Sequence, residues 1–406
     1  MNNYDVIVIG AGPAGMTAGI KAGEKRKKTL IIEKNNSAGK KLLTTGGGHC
    51  NISHVGNTQE YLKKYGENGK FLKPALLNFS NKDLDTFFRN LGIGLVEDEN
   101  GKLFPETKDA RDVLNTLLTK CKSEGVKISY NESVTGIEKT AEEHFRVITD
   151  KSEYQSKTVI ITTGGKSYPT TGSTGDGYGL AKKLGHKITP IKPALSPVYI
   201  KENPLGDLSG LSFNNVLITL WRDGKKIDDY QGELLITHKG LSGPAVLNFS
   251  SKILPGDKVR INFVNVAQID KFAKDFMERI NKNGKDTVKK LLTQYDLPKR
   301  LISKILELED VEEQVSVAGL KKDKRKAIIK RMTEFPLEVT SLGGFNIAMA
   351  TKGGVHLKEI NHKTMESRIC KGLYFAGEVV DIDGETGGYN LQAAFSMAIL
   401  ASQNIP

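Results

Sequence analysis

Apolar residues come in short unbroken runs near the start of the chain, and such runs predict strands buried on both faces. YDVIVI at 4–9 and TLIIE at 29–33 are two of them, and the stretch from the glycines at 10–15 to about 27 has helical spacing. Together they predict a β-α-β unit of about 30 residues. Helical patterns follow at 74–91 and 113–124, then short β runs at 126–130, 134–138 and 145–149. TVIITT, from 158, is an apolar strand entering Gly164 and Gly165, with a helix expected after Gly179.

The pattern changes at Pro190, Pro193 and Pro197, which read as a linker. Residues 198–266 read as β and 267–336 as helices with polar and basic faces. Beyond 336 glycine returns, with an apolar strand at 373–376 and a helix from 387 through 401. The expected fold class is α/β, with breaks after 192, 266 and 336.

A chain of 406 residues is too long for one core, which agrees with several domains. The net charge of +12 raises the question of an anionic partner. The densest basic runs, at 25–28 and 321–326, have no interleaved aromatic residues. They read as solvated helix faces, so nucleic acid is not the expected partner. Cys50, Cys121 and Cys370 form no disulfide framework and fit a reducing compartment. With no leader pattern and no apolar run of about 18 residues, a cytoplasmic protein without membrane insertion is expected.

The glycine clusters carry the chemistry. Gly10, Gly12 and Gly15, with Ala11, Pro13 and Ala14 between them, form GxGxxG between a strand and a helix. Gly10 permits the tight turn, Gly12 the approach of a pyrophosphate, and Gly15 close helix–strand packing. Phosphates then sit at the helix N-terminus, where free N–H groups favour anions. Glu33 ends the second strand at the position of a ribose-binding acid.

GKKLLTTGGGHCN at 39–51 places three consecutive glycines, ending at Gly48, where backbone must pass close to something flat or bulky. Lys40 or Lys41 is placed to meet a phosphate, and Asn51 a polar ring edge. Thr162, Thr163, Gly164 and Gly165 end a strand, and Asp176 opens a helix that it is expected to cap. In LYFAGEVVDIDGETGGYN at 373–390, Gly377 and Glu378 follow a strand, while Gly387 and Gly388 precede the last helix. Glu378 or Asp383 is placed for ribityl hydroxyls. The helix end faces the site where reduced flavin carries negative charge.

These motifs resemble the HI0933-like flavoproteins, also called the bile-acid-reductase-like or aminoacetone-oxidase-like family, within the two-dinucleotide-binding flavoproteins. The resemblance spans almost the whole chain, including TTGGKSYPTTGSTGDGYGLAKKLGH, GELLITHKGLSGPAVL and TMESRICKGLYFAGEVVDIDGETGGYNLQAAF. It implies FAD as cofactor and a Rossmann-like FAD-binding domain in two parts, 1–192 and 337–406, with an inserted β domain at 193–266 and a small helical domain at 267–336. With Lys34, Leu42, Val134, Tyr389, Asn390 and Leu391 added to the residues above, it completes the expected cofactor-binding set. His49 departs from the Arg common in the family, which would make an anion contact there weaker or pH-dependent.

No second GxGxxG is present, so NAD(P)H is expected only as a diffusible co-substrate. CxxC, HExxH and GxSxG are absent, which argues against disulfide reductase, metal and serine hydrolase chemistry. Catalytic residues are not fixed by the sequence. Tyr168 and Tyr389 are candidate proton donors, and Cys50 beside His49 a candidate thiolate, each set against a packing role. His238 and Lys239 in the inserted domain are candidates for substrate contact. The favoured reaction is NAD(P)H-dependent reduction of a conjugated double bond in a steroid-like or bile-acid-like small molecule. The alternative is oxidation of a small amine with release of peroxide, and a third reading, motivated by charge, is an RNA-modifying flavoprotein. Oligomeric state leaves no signal.

Overall fold

The computed structural model describes residues 2–406. It divides into two compact units, one of residues 1–194 and 345–406, the other of residues 195–344.

The first unit is built on strand β1 (Asn2–Ile9), helix α1 (Pro13–Glu24) and strand β2 (Thr29–Ile32). The apolar runs are buried, as unbroken runs in a parallel sheet must be. α1 buries a stripe of small residues. A Cβ at Gly19 would stand 2.8 Å from the Ile31 side chain, so glycine lets the helix lie on β2. Along the first turn of α1, Pro13 loses nothing by lacking an N–H. Helix α2 (Gly69–Asn78) ends before a second helix, Asn81–Asn90, because Ser80 and Asp83 form a capping box. The single helix expected over 74–91 is therefore two.

The sheet continues with β3 (Lys127–Ser129), β4 (Val134–Lys139), β5 (Phe145–Thr149) and β6 (Glu153–Ile161). Its order is β3-β2-β1-β6-β5-β4, and β7 (Leu373–Phe375) also pairs with β6. β3, β2, β1, β6 and β7 are parallel; β4 and β5 form an antiparallel flap. Helix α3 (Asp176–Lys183) opens at Asp176, and α4 (Tyr389–Gln403) closes the unit. The C-terminal ends of β1, β2, β6 and β7 lie side by side, the place where open parallel sheets bind ligands.

The second unit is a closed six-stranded barrel, formed by Val198–Ile200, Gly240–Ser242, Lys225–Thr237, Ser212–Arg222, Lys258–Asn262 and Phe335–Leu342 in that order. Four main helices, Ile269–Lys282, Val288–Leu292, Lys299–Leu308 and Lys322–Thr333, share its hydrophobic core. Strand and helical segments thus form one compact body, and the chain returns to the first unit at 345.

Candidate functional site

A cleft opens over the strand ends of the first unit. Gly10, Gly12, Pro13 and Ala14 form one side of it. Gly10 has φ +102°, reachable without strain only by glycine. A Cβ on Gly15 would stand 1.9 Å from Gly10 O, so that residue serves packing and does not line the cleft. A Cβ on Gly12 would meet nothing within 4 Å. No side chain caps α1, so its first N–H groups are left for a ligand.

Glu33, 8% exposed, lines the cleft and its neighbouring recess. Its Oε2 accepts the Ala11 N–H at 2.8 Å, and its Oε1 accepts from Asn35 N and Nδ2 at 2.9 and 2.8 Å. The recess is also lined by Lys34, Ser133, Val134 and Asp176. Lys34 Nζ pairs with Asp176 Oδ2 at 2.5 Å and also donates to Thr174 Oγ1. Asp176 does not cap its helix. Gly175, at φ +87°, holds that position, and the Asp176 carboxylate is turned to Lys34 and Thr174 instead.

Opposite α1, Lys41 and Leu42 line the cleft, and Lys41 Nζ meets Glu378 Oε2 at 2.7 Å. Glu378 Oε1 accepts the Thr351 N–H at 2.7 Å. Thr163, Gly164, Gly377, Asn390 and Leu391 complete the wall. Asn390 is locked by a two-way bond to the Gly384 backbone, at 2.8 and 2.9 Å. Thr163 Oγ1 is buried against Gly177, where a Cβ would stand 2.0 Å from it. An open Gly12 beside an uncapped helix end fits a dinucleotide such as FAD.

Several expected residues lie outside the cleft lining. Gly48 is in the glycine loop at φ +95°, and Asn51 Nδ2 donates to the carbonyls of Ser53 and Leu103. A Cβ on Gly165 would strike Thr351, and one on Gly388 would stand 2.4 Å from Ser53 O, so both are close-packing glycines. Gly388, at φ +88°, starts α4, and no side chain caps that helix. Tyr389 stacks on His54 with ring centroids 5.1 Å apart, with Tyr61 and Tyr65 edge-on. Tyr168 adopts a left-handed φ of +54° beside the cleft segment without lining it.

Of the two roles weighed for Cys50, the structure favours packing: the side chain is fully buried, and burial pushes its thiol up to about 11, with only the Thr45 hydrogen bond opposing. His49 directs Nδ1 to Lys108 O at 2.8 Å, away from the thiol. Asp383 does carry a perturbed carboxyl, raised to about 6 chiefly by burial.

The sequence reading missed Asn35, Thr45, Thr171, Ser173, Met349 and Ala350 in the cleft wall, and Glu132 in the recess. Glu132 is buried and held by Thr149 Oγ1 at 2.6 Å, Tyr154 Oη at 3.1 Å and Ser129 Oγ. Thr171 and Ser173 lie inside the quoted glycine motif. Met349 and Ala350 have no local signal. Among the described residues no group of three or more potential metal ligands occurs, and no helix is long and apolar enough to cross a membrane.

The chain is 32% identical over its full length to a ribosomal RNA dihydrouridine synthase of Escherichia coli, covering 98% of that protein. It is 30% identical to a 3-dehydro-bile acid delta(4,6)-reductase of Clostridium scindens, over 98% of this chain and 97% of that one. In fold it is similar to the 3-ketosteroid delta1-dehydrogenase of Sterolibacterium denitrificans, with a TM-score of 0.54 at 12% identity, covering 100% of this chain and 99% of that one. The family described as HI0933-like protein Rossmann domain matches residues 4–404. With that match running from β1 to the end of α4, over a sheet whose first turn is shaped for a dinucleotide, the chain belongs to the HI0933-like family and is an FAD-dependent oxidoreductase.

Proposed function

We propose that the protein reduces a carbon–carbon double bond conjugated to a carbonyl, and that its substrate is uridine in RNA, converted to dihydrouridine at the expense of NAD(P)H. The observation that carries this reading is the full-length similarity to a ribosomal RNA dihydrouridine synthase. The net charge of +12 supports it, because a polyanionic substrate is drawn to such a surface. The bile-acid reductase relative supports the same bond chemistry, since a 3-oxo group conjugated to a 4,6-diene and the C5=C6 bond of uracil are both electron-poor at the carbon β to a carbonyl.

Bound FAD supplies two-electron hydride transfer between the nicotinamide and the substrate. Per base, NAD(P)H and one proton are consumed, with hydride added at the β carbon and the proton at the α carbon. The chain's own groups bind and orient. The N-terminus of α1, with Gly12 open beside it, holds the pyrophosphate, and Glu33 holds a ribose hydroxyl. Val134 and Lys34 lie in the recess at the adenosine end. The uncapped start of α4, with Asn390 and Leu391 in the wall, meets the pyrimidine edge and favours negative charge there.

The test offers NADH or NADPH with unmodified ribosomal RNA, and separately with a 3-oxo-4-ene steroid. Dihydrouridine is read as a two-hydrogen mass gain. Reduction of RNA uridine is expected. Reduction of the steroid alone would favour the second reading, a steroid-like enone reductase, which the bile-acid relative supports. Bleaching by a small amine with fast reoxidation by oxygen would instead favour an oxidase.

A further inference from the structure

The first unit carries a second concavity that shares no lining residue with the cofactor cleft. It is shallow and lined by Phe71, Leu357, Lys358, Ile360, His362 and Arg368. Phe71, on α2, and His362 place their ring centroids 6.3 Å apart at 51°, over a floor that includes Leu357 and Ile360. Lys358 and Arg368 are exposed at its edge. Arg368 Nε is tied to Ile360 O at 3.3 Å, which fixes the guanidinium without neutralising it.

No carboxylate pairs with Lys358, Lys363 or Arg368 among the described residues. The two acids of this stretch are occupied elsewhere. Glu359 accepts the Lys187 N–H at 2.8 Å and faces His186, and Glu366 accepts the Gly372 N–H at 2.9 Å. The same α2 carries exposed Lys70 and Lys73. Aromatic rings among unneutralised cations are the combination that binds single-stranded nucleic acid, the rings stacking on bases and the cations following phosphates. The basic sequence runs lack that combination. Lys322, Lys326 and Lys330 lie four apart on the helix Lys322–Thr333, but that helix has no aromatic residue. Folding creates the combination by bringing position 71 to the 357–368 segment.

We propose that this concavity is an RNA-docking site, in which an unpaired base stacks on His362, whose ring is backed by Phe71, while Lys358 and Arg368 hold the flanking phosphates. The proposal rests on the reading of RNA as substrate and names the surface that would hold the strand outside the reacting base.

The test measures binding of a fluorescein-labelled ten-nucleotide oligouridylate to the FAD-loaded protein by anisotropy at rising KCl. Lys358→Glu with Arg368→Glu is expected to weaken binding at least tenfold and to flatten the plot of log K against log salt by about 1.4, for two phosphate contacts at roughly 0.7 each. His362→Ala is expected to lose about 5- to 150-fold, the range of one base–aromatic stack, and His362→Trp to recover it. An abasic oligomer should bind less well and be indifferent to His362→Ala. Flavin bleaching by NAD(P)H, unchanged in every variant, reports that the protein is intact. If the oligomer binds wild type and the variants match it in affinity and slope, the docking site is wrong while RNA remains the substrate. Loss of binding in Lys322→Glu with Lys326→Glu instead would move the site to the other unit. If wild type neither binds the oligomer nor forms dihydrouridine, the underlying reading falls as well.

Discussion

Lys41 Nζ and Glu378 Oε2, 337 positions apart in sequence, meet at 2.7 Å across the cofactor cleft. Both side chains are about four-fifths buried, so the pair is screened less than a surface ion pair. Glu378→Gln keeps an acceptor for the Thr351 N–H but removes the charge opposite Lys41. FAD-free protein carrying this change should be less stable by about 1–2 kcal/mol, between the values of exposed and buried pairs. Urea unfolding of the FAD-free variant measures it, and an unchanged midpoint would show that the two walls do not depend on this contact.

The glycines of the fingerprint should fail in different ways. Gly12→Val puts a side chain into open space at the helix end, on backbone of φ −80° and ψ −177° that valine accepts. It should fold and be colourless. Gly15→Ala puts Cβ 1.9 Å from Gly10 O and should impair folding itself. Circular dichroism with the flavin absorbance separates the outcomes; a yellow Gly12→Val protein would contradict the placement of the pyrophosphate.

Glu33 accepts three hydrogen bonds from Ala11 and Asn35, and an ionised carboxylate has roughly four acceptor positions. One remains for a ribose hydroxyl. Glu33→Ala should weaken FAD binding by about 1.5–3 kcal/mol, one charge-assisted bond, and should also lower the melting temperature of the FAD-free form. Flavin fluorescence titration gives the first quantity. Unchanged affinity would mean that other groups hold the ribose.

Burial raises the Asp383 carboxyl to about 6, with Asp381 and Glu378 acting in the same direction and Lys352 against them. The folded protein therefore holds this proton more tightly than the unfolded chain. The contribution to stability is greatest below about pH 4 and declines as pH rises to about 6, by on the order of 2–3 kcal/mol. Asp383→Asn should stabilise the protein at pH 7.5 more than at pH 4.5. Melting temperatures across that range test the sign, and an equal effect at both ends would place the titration elsewhere.

At the start of α4, Gly388→Ala forces a Cβ to 2.4 Å from Ser53 O at a backbone φ of +88°. Ser53 cannot yield easily, because its Oγ is buried and bonded to Tyr61 at 2.9 Å and Gln392 at 2.6 Å. The helix end should move instead. Weaker FAD binding is expected, and any flavin retained should show a potential lower by about 6–40 mV, from loss of a helix-end interaction of about 0.3–2 kcal/mol. A dye-coupled titration reads this. A full complement of FAD at an unchanged potential would show that the helix end is not its electrostatic partner.

Local signals were legible and tertiary ones were not. β1, α1 and β2 lie within a few residues of the ranges read from unbroken apolar runs and glycine spacing, because both are properties of adjacent positions. The Ser80–Asp83 capping box sat inside a continuous periodic stretch and was read through. The alternation of buried Phe335, Leu337 and Val339 marks a half-buried strand, yet it straddles the position where the return to the first domain was expected. At the site, the fingerprint glycines and Glu33 announce themselves by spacing. Met349 and Ala350 reach the cleft only because a distant segment folds onto it. The histidine next to Cys50 in sequence raised a thiolate as a candidate beside packing, and it is burial, a tertiary property, that decides its thiol.

The sheet of the first unit takes β7 and α4 from the last part of the chain, after some 150 residues of the second unit have been inserted. On the ribosome, β6 is therefore made long before the strand that will pair with it. Gly377, Glu378, Asn390 and Leu391 emerge only after the whole second unit has been synthesised. Capture of FAD then waits for synthesis to pass Leu391, and a nascent chain stalled anywhere in the inserted unit has a half-walled cleft with an uncovered β6 edge. Such a chain is colourless, and it exposes the apolar strand edge that chaperones and proteases recognise.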